Sequence, residues 1–222
     1  RDLHSFPTRR SSDLWQTQFE SHHAREAFPC VDEPEAKATF AISILSNEPV
    51  VLSNMPVISQ RESNEGTLTT FEQTPRMSTY LAAFVAGDLQ RATTAAKSGV
   101  EVNVYATPAQ SADSLNWALQ HAAQTIDFFN EYFGVPYPLP KSDHVALPDF
   151  SSGAMENWGL VTYRETALLA DPATASVSTR QYIATVIAHE LSHQWFGNLV
   201  TMKWWNNLWL NESFAKIGRA HV

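Results

Sequence analysis

One cysteine in 222 residues leaves no partner for an internal disulfide, so Cys30 is compatible with a reducing compartment and the fold rests on packing. Basic residues are scarce. The 15 Lys and Arg against 23 Asp and Glu give a formal charge of −8, and without basic clusters the chain argues against a nucleic-acid partner. No run of about 18 apolar residues occurs, so no membrane-spanning helix is expected. Internal repeats and low-complexity tracts are also missing. What remains is the composition of a globular domain, 44% hydrophobic and 17% charged, in a chain long enough for one large or two small cores.

The densest chemistry lies near the C-terminal end. Residues 189–193 read His-Glu-Leu-Ser-His, and Glu212 follows in Trp-Leu-Asn-Glu-Ser-Phe-Ala. Residues four apart share a helix face, so His189 and His193 can hold one metal ion between them. Glu190, one position round, is poorly placed as a ligand but well placed as a general base for a metal-activated water. Glu212 completes a His₂Glu set suited to a catalytic zinc with one open position. Ile183, Val186, Ile187, Leu191 and Trp195 form an apolar stripe beside the histidines. Ser178 with Gln181 predicts the helix start, Gly197 its stop, and Asn207 to Lys216 a second helix carrying Glu212. The alternative is a pair of core histidines satisfied by hydrogen bonds; two carboxylates beside them weigh against it.

A second phrase, Gly153-Ala154-Met155-Glu156-Asn157 followed by Trp158-Gly159-Leu160, suggests backbone that approaches something closely, with one anion at its end. An ordinary loop before a strand is the plain alternative. Taken with the 189–212 motif, the phrase resembles the exopeptidase signature of the aminopeptidase N family of zinc metallopeptidases (gluzincins). Thr17-Gln18-Phe19-Glu20 and the stretch Ala27 to Pro34 resemble that family's N-terminal domain, so the likeness covers about residues 15–216.

The resemblance implies roles residue by residue. His189, His193 and Glu212 would hold one zinc ion, with Glu190 as the base. Glu156 and Glu20 would bind the free α-amino group of a peptide substrate, and Gln18 would line the pocket for its first side chain. The backbone of Gly153 and Ala154 would pair with the substrate, with Met155 and Asn157 completing the binding phrase. An ammonium entering a partly dry cleft needs anionic partners that a mid-chain peptide nitrogen cannot use. The implied function is a zinc-dependent aminopeptidase acting on peptides with a free N-terminus. A zinc endopeptidase, a related epoxide hydrolase and a catalytically dead scaffold of the same fold are the alternatives; retention of all four zinc-site residues weighs against the scaffold. Family members carry an oxyanion-stabilising tyrosine well beyond the second zinc glutamate, and no residue here takes that part. The expectation is therefore a fragment of a longer enzyme, weakly active or inactive by itself.

The implied architecture is α+β: a truncated saddle-like β domain over 15–100, then the first part of a thermolysin-like catalytic domain over 101–216. Residues 1–14 and 217–222 match no pattern and read as non-native segments. Strands are expected at Thr39 to Leu45, Val50 to Leu52, Thr67 to Phe71, Ser78 to Val85, Val100 to Tyr105, Val145 to Leu147 and Leu160 to Tyr163. Leu115, Leu119, Ala122, Ile126, Phe129 and Phe133 predict a helix that Gly134 ends. His22, His23 and His121 are expected at the surface and His144 beside the site without a ligand role. Trp195, Phe196, Trp204, Trp205 and Trp209 are expected as core and pocket wall. Asn207 stands where many relatives carry Asp, which leaves ligand orientation without that carboxylate. A cytoplasmic location is expected, with secretion or anchoring left open by a native N-terminus outside the chain.

Overall fold

The computed structural model describes residues 8–11 and 14–218. Strands β1 (Thr8–Ser11), β2 (Leu14–Thr17), β4 (Val50–Ser53) and β7 (Phe84–Gly87) form a four-stranded sheet in the order β1-β2-β7-β4. Strands β3 (Ser43–Ser46), β5 (Val57–Ser63) and β6 (Gly66–Phe71) form a second sheet, order β3-β6-β5. Helix α1 (Ala24–Ala27) is a single turn between them in sequence. Residues 8–11, set outside the fold by the sequence reading, pair antiparallel with β2. The remainder of 1–13 and residues 219–222 lie outside the described residues.

The third sheet carries the site. It comprises β8 (Gln90–Ala95), β9 (Glu101–Ala106), β10 (Lys141–Leu147), β11 (Ala154–Met155) and β12 (Leu160–Arg164) in the order β11-β12-β10-β9-β8. The central pairs β9-β10 and β10-β12 are parallel, while β8 and β11 run antiparallel at the two edges. The expected division near residue 100 falls inside this sheet, between the paired strands β8 and β9. Sheets in the first half followed by helices on a mixed sheet make the fold α+β, as the sequence implied.

Helix α2 (Asn116–Phe133) packs on β8, β9 and α3 (Val177–His193), and α3 packs on α4 (Trp209–Gly218). Its predicted apolar stripe is the buried face, and Gly134 ends it with φ +64°, a left-handed cap that glycine adopts without steric cost. The start of α3 differs from expectation. Ser176, not Ser178, is the cap: its Oγ accepts from the Thr179 amide at 3.1 Å. The helix ends at His193 with Gln194 as cap, four residues before Gly197, and α4 begins at Trp209 rather than Asn207. Two other expected strands also moved. The Thr39 to Leu45 run pairs only from Ser43, and the Ser78 to Val85 run opens with a 3-10 turn at Thr79–Leu81 before β7.

The first half meets the third sheet across a seam of buried hydrogen bonds. Asn54 donates from Nδ2 to Leu81 O (2.7 Å) and Trp158 O (2.9 Å), and its Oδ1 accepts from the Ala83 amide (3.0 Å). Gly159 sits against it with φ +78°, and a Cβ there would lie 2.3 Å from Asn54 O. Lys141 crosses the same seam, donating to Ser53 O at 2.9 Å and Gly159 O at 2.8 Å and pairing with Asp143 at 2.6 Å.

Candidate active site

Helix α3 delivers both histidines and Glu190 from its last two turns, because its apolar residues Ile183, Ile187 and Leu191 anchor one face in the core. Helix α4 packs against α3 and presents Glu212. His189 Nε2 lies 3.2 Å from His193 Nε2 and 3.3 Å from Glu212 Oε2, and His193 Nε2 lies 3.6 Å from Glu212 Oε1. Ligands about 2.0–2.1 Å from a tetrahedral ion stand about 3.3 Å apart, so this triangle fits zinc with a fourth position free. The donor chemistry agrees. Phe196 O can only accept, so His193 Nδ1 donates to it at 3.0 Å, and the Nε2 lone pair faces the other two ligands. Gly197 leaves room for that ring: a Cβ there would meet His193 Nδ1 at 3.3 Å. His189 Nδ1 is buried with no hydrogen-bond partner among the described residues, so no carboxylate orients that ring. Burial lowers the His193 pKa, which favours the neutral, ligating ring, and the bond to His189 holds Glu212 below its ordinary value.

The remaining acids gather beside the triad. Carboxylate oxygens of Glu156 and Glu190 and a ring nitrogen of His193 lie within 4.8 Å of one another. Burial, reinforced by Glu156, Glu212 and Glu20, pushes Glu190 well above the ordinary carboxylate range. Burial raises Glu156 to about 7, and Glu212 adds to the shift. Glu20, from the end of the first sheet's β2, is pushed up to about 8 by burial first and then by Glu156 and Glu212. Four carboxylates thus gather at one place, Glu156 and Glu190 buried and Glu20 and Glu212 partly open to solvent, and Glu156 Oε1 has no partner among the described residues. Such a gathering favours cations.

The phrase 153–157 divides by burial. Ala154 and Met155 form β11 at the edge of the sheet, leaving one side of that strand unpaired within it. Gly153 lies in the exposed approach, and a Cβ on it would meet nothing within 4 Å, so no neighbour in the chain demands a glycine there. Met155 and Asn157 turn their side chains into the core, where Asn157 donates to Thr162 at 3.1 Å. Gln18 is half-buried just after β2, and its Oε1 has no partner among the described residues.

Several neighbours carried no sequence signal of their own. Gln194 Nε2 donates to Glu190 O (3.0 Å) and Glu156 O (3.4 Å), and Asn198 Nδ2 donates to Glu156 O at 2.8 Å. Tyr80 reaches in from the first half, its hydroxyl 3.3 Å from Gly197 O and 3.4 Å from Asn211 Nδ2. A local cue existed for Gln194 and Asn198, since both lie within five residues of His193, but their partners are backbone atoms that leave no residue type to read. His144 is structural: it lies inside β10, bonded to Ser142 at 3.1 Å and Tyr163 at 2.9 Å, and burial drives its pKa down to about 3. His121 is half-buried against Trp117 rather than at the open surface. Of the aromatic cluster, Trp195 is core, whereas Trp204 and Trp209 are exposed.

Comparison with known proteins converges on one group. Residues 8–81 match the peptidase M1 N-terminal domain and residues 117–222 the peptidase family M1 domain. The chain is 58% identical over 209 residues to aminopeptidase N of Lactococcus lactis subsp. lactis, covering 92% of this chain and 24% of that protein. It is 53% identical over 202 residues to endoplasmic reticulum aminopeptidase 2 of Bos taurus, covering 90% and 21%. It is 52% identical over 205 residues to puromycin-sensitive aminopeptidase of Caenorhabditis elegans, covering 91% and 22%. The chain therefore spans about a quarter of the length of the curated relatives it matches.

Proposed function

We propose that this chain, which belongs to the aminopeptidase N family of M1 peptidases, carries the zinc-dependent site that removes the N-terminal residue from peptides. The observation that supports this most is the nearness of Glu156 to His193 and to Glu190, within 4.8 Å. An anion so close to the reacting centre can hold a substrate ammonium only one residue from the bond to be cut.

His189, His193 and Glu212 would hold zinc, which supplies Lewis-acid polarisation of water and of a carbonyl oxygen. The chain's own groups bind the substrate and move the proton. Glu156 and Glu20 bind the ammonium, and its charge relieves the repulsion that raises their pKa values. The unpaired side of β11 hydrogen-bonds the extended substrate backbone. Glu190 takes a proton from the attacking water. It delivers that proton to the leaving nitrogen as the peptide C–N bond breaks.

The test, made on the full-length protein, compares one peptide with and without an N-acetyl cap. Hydrolysis of the free form alone, lost on chelation and restored by zinc, is the expected result. Equal hydrolysis of both forms would identify an endopeptidase instead.

A further inference from the structure

Glu156 Oε1 is buried with no partner among the described residues, and its carboxylate is held by its own backbone amide rather than by another side chain. The residue's position is fixed through its backbone. Glu156 O accepts from two carboxamides, Asn198 Nδ2 at 2.8 Å and Gln194 Nε2 at 3.4 Å. Both carboxamides are tied to the helix that carries the histidines. Gln194 follows His193 directly, its Nε2 also bonds Glu190 O at 3.0 Å, and its Oε1 faces the Gly159 amide at 3.5 Å. The Asn198 amide donates to His193 O at 3.0 Å. Both residues are fully buried. Two short hydrogen-bonded paths therefore run from His193 and Glu190 to the Glu156 peptide, each through one uncharged side chain.

We propose that Gln194 and Asn198 are positioning residues that fix the gap between the Glu156 amine anchor and the His189–His193 helix, and thereby set where along a peptide the site cuts. The proposal rests on the aminopeptidase reading and adds to it the parts that hold its register. A donor is required at both positions because the partner is a carbonyl. Carboxamides meet that need without adding a charge to a volume that already holds four acids. Displacement of a positioned group by about 1 Å can cost a factor of about 10² in rate, so two paths hold the gap where one would leave a pivot.

The test uses the intact protein and two inhibitors, an amino-acid hydroxamate with a free α-amine and its N-acetylated form. Both offer the same metal-binding group, and only one offers an ammonium. In Asn198→Ala the free-amine compound should bind about tenfold more weakly, in line with loss of one buried donor. The acetylated compound should bind as before, with zinc content unchanged. Asn198→Leu keeps nearly the same volume, lacks the donor and adds no charge, and it should reproduce the loss, which covers failure of the alanine variant to fold. Gln194→Met should do the same. Equal weakening of both compounds would mean a general disturbance of the metal helix and would overturn the proposal, as would no weakening of either. If the wild type itself fails to prefer the free-amine compound, the amine anchor is wrong, and that result is visible before any variant is made.

Discussion

Two polar clusters that both contain acids and a histidine, one around β10 and one around α3, behave in opposite ways. Around β10, Lys141 pairs with Asp143, Asn103 bridges Asp143 and Glu101, and His144 spends both ring nitrogens on Ser142 and Tyr163. Lys141 offsets the Asp143 charge, and each of these side chains has a partner. Around α3, Glu20, Glu156, Glu190 and Glu212 gather, and among the described residues no lysine or arginine pairs with them and Glu156 Oε1 and His189 Nδ1 have no partner. The first cluster is finished by the protein itself. The second is complete only with cations, and that incompleteness marks it as the site more clearly than burial or composition does.

The contrast can be broken from either side. The largest expected effect comes from Glu190→Gln in the intact protein. Turnover should fall by a factor of about 10²–10⁴ through loss of the base, with zinc still bound by metal analysis and the metal-free protein no less stable in thermal melts. Unimpaired turnover would remove Glu190 from its role. Lys141→Met should show the reverse pattern. It leaves Asp143 buried and unpaired and should cost about 3–5 kcal/mol in urea unfolding, while zinc affinity in whatever fraction remains folded is unchanged.

A smaller effect concerns pH. Glu156 and Glu20 rise from the ordinary 4.5 to about 7 and about 8 in the folded state. Between those values the folded chain holds more protons than the unfolded chain. Stability of the metal-free protein should therefore be greatest near pH 5 and fall as pH rises through 7 to 8. Thermal midpoints at pH 5 and 8 check this, and Glu20→Gln should flatten the slope; a rising midpoint would contradict the shared-volume picture. The smallest effect is at the surface. Ser176→Ala should cost about 1 kcal/mol through the lost cap, and Ser178→Ala much less, with activity unchanged in both.

The convergence of His189, His193 and Glu212 and the α2 stripe were legible because each depends on residue type at helical spacing. Ser176 against Ser178 was not, since two serines two apart offer the same cap and only the backbone decides between them. Strands β5 and β8 escaped for a physical reason: VISQRES is exposed along its whole length and QRATTA has almost no apolar alternation. Only the apolar end of β10 was visible, although all seven residues are buried, because Lys141, Ser142, Asp143 and His144 satisfy one another in three dimensions. The gathering of Glu20 with Glu156 followed from the family resemblance alone, as nothing local joins residues 136 positions apart.

Gly159 has a consequence for motion. With a Cβ position 2.3 Å from Asn54 O, and with Asn54 and Lys141 bonded to both sides, the first half cannot rock against the third sheet at this seam without breaking several buried hydrogen bonds at once. Glu20 and Glu156 sit on opposite sides of it, so the span between them is a fixed dimension of the molecule. A ligand is therefore sorted by whether it suits a gap already set rather than by an enclosure formed around it, and its arrival carries little reorganisation cost from this joint.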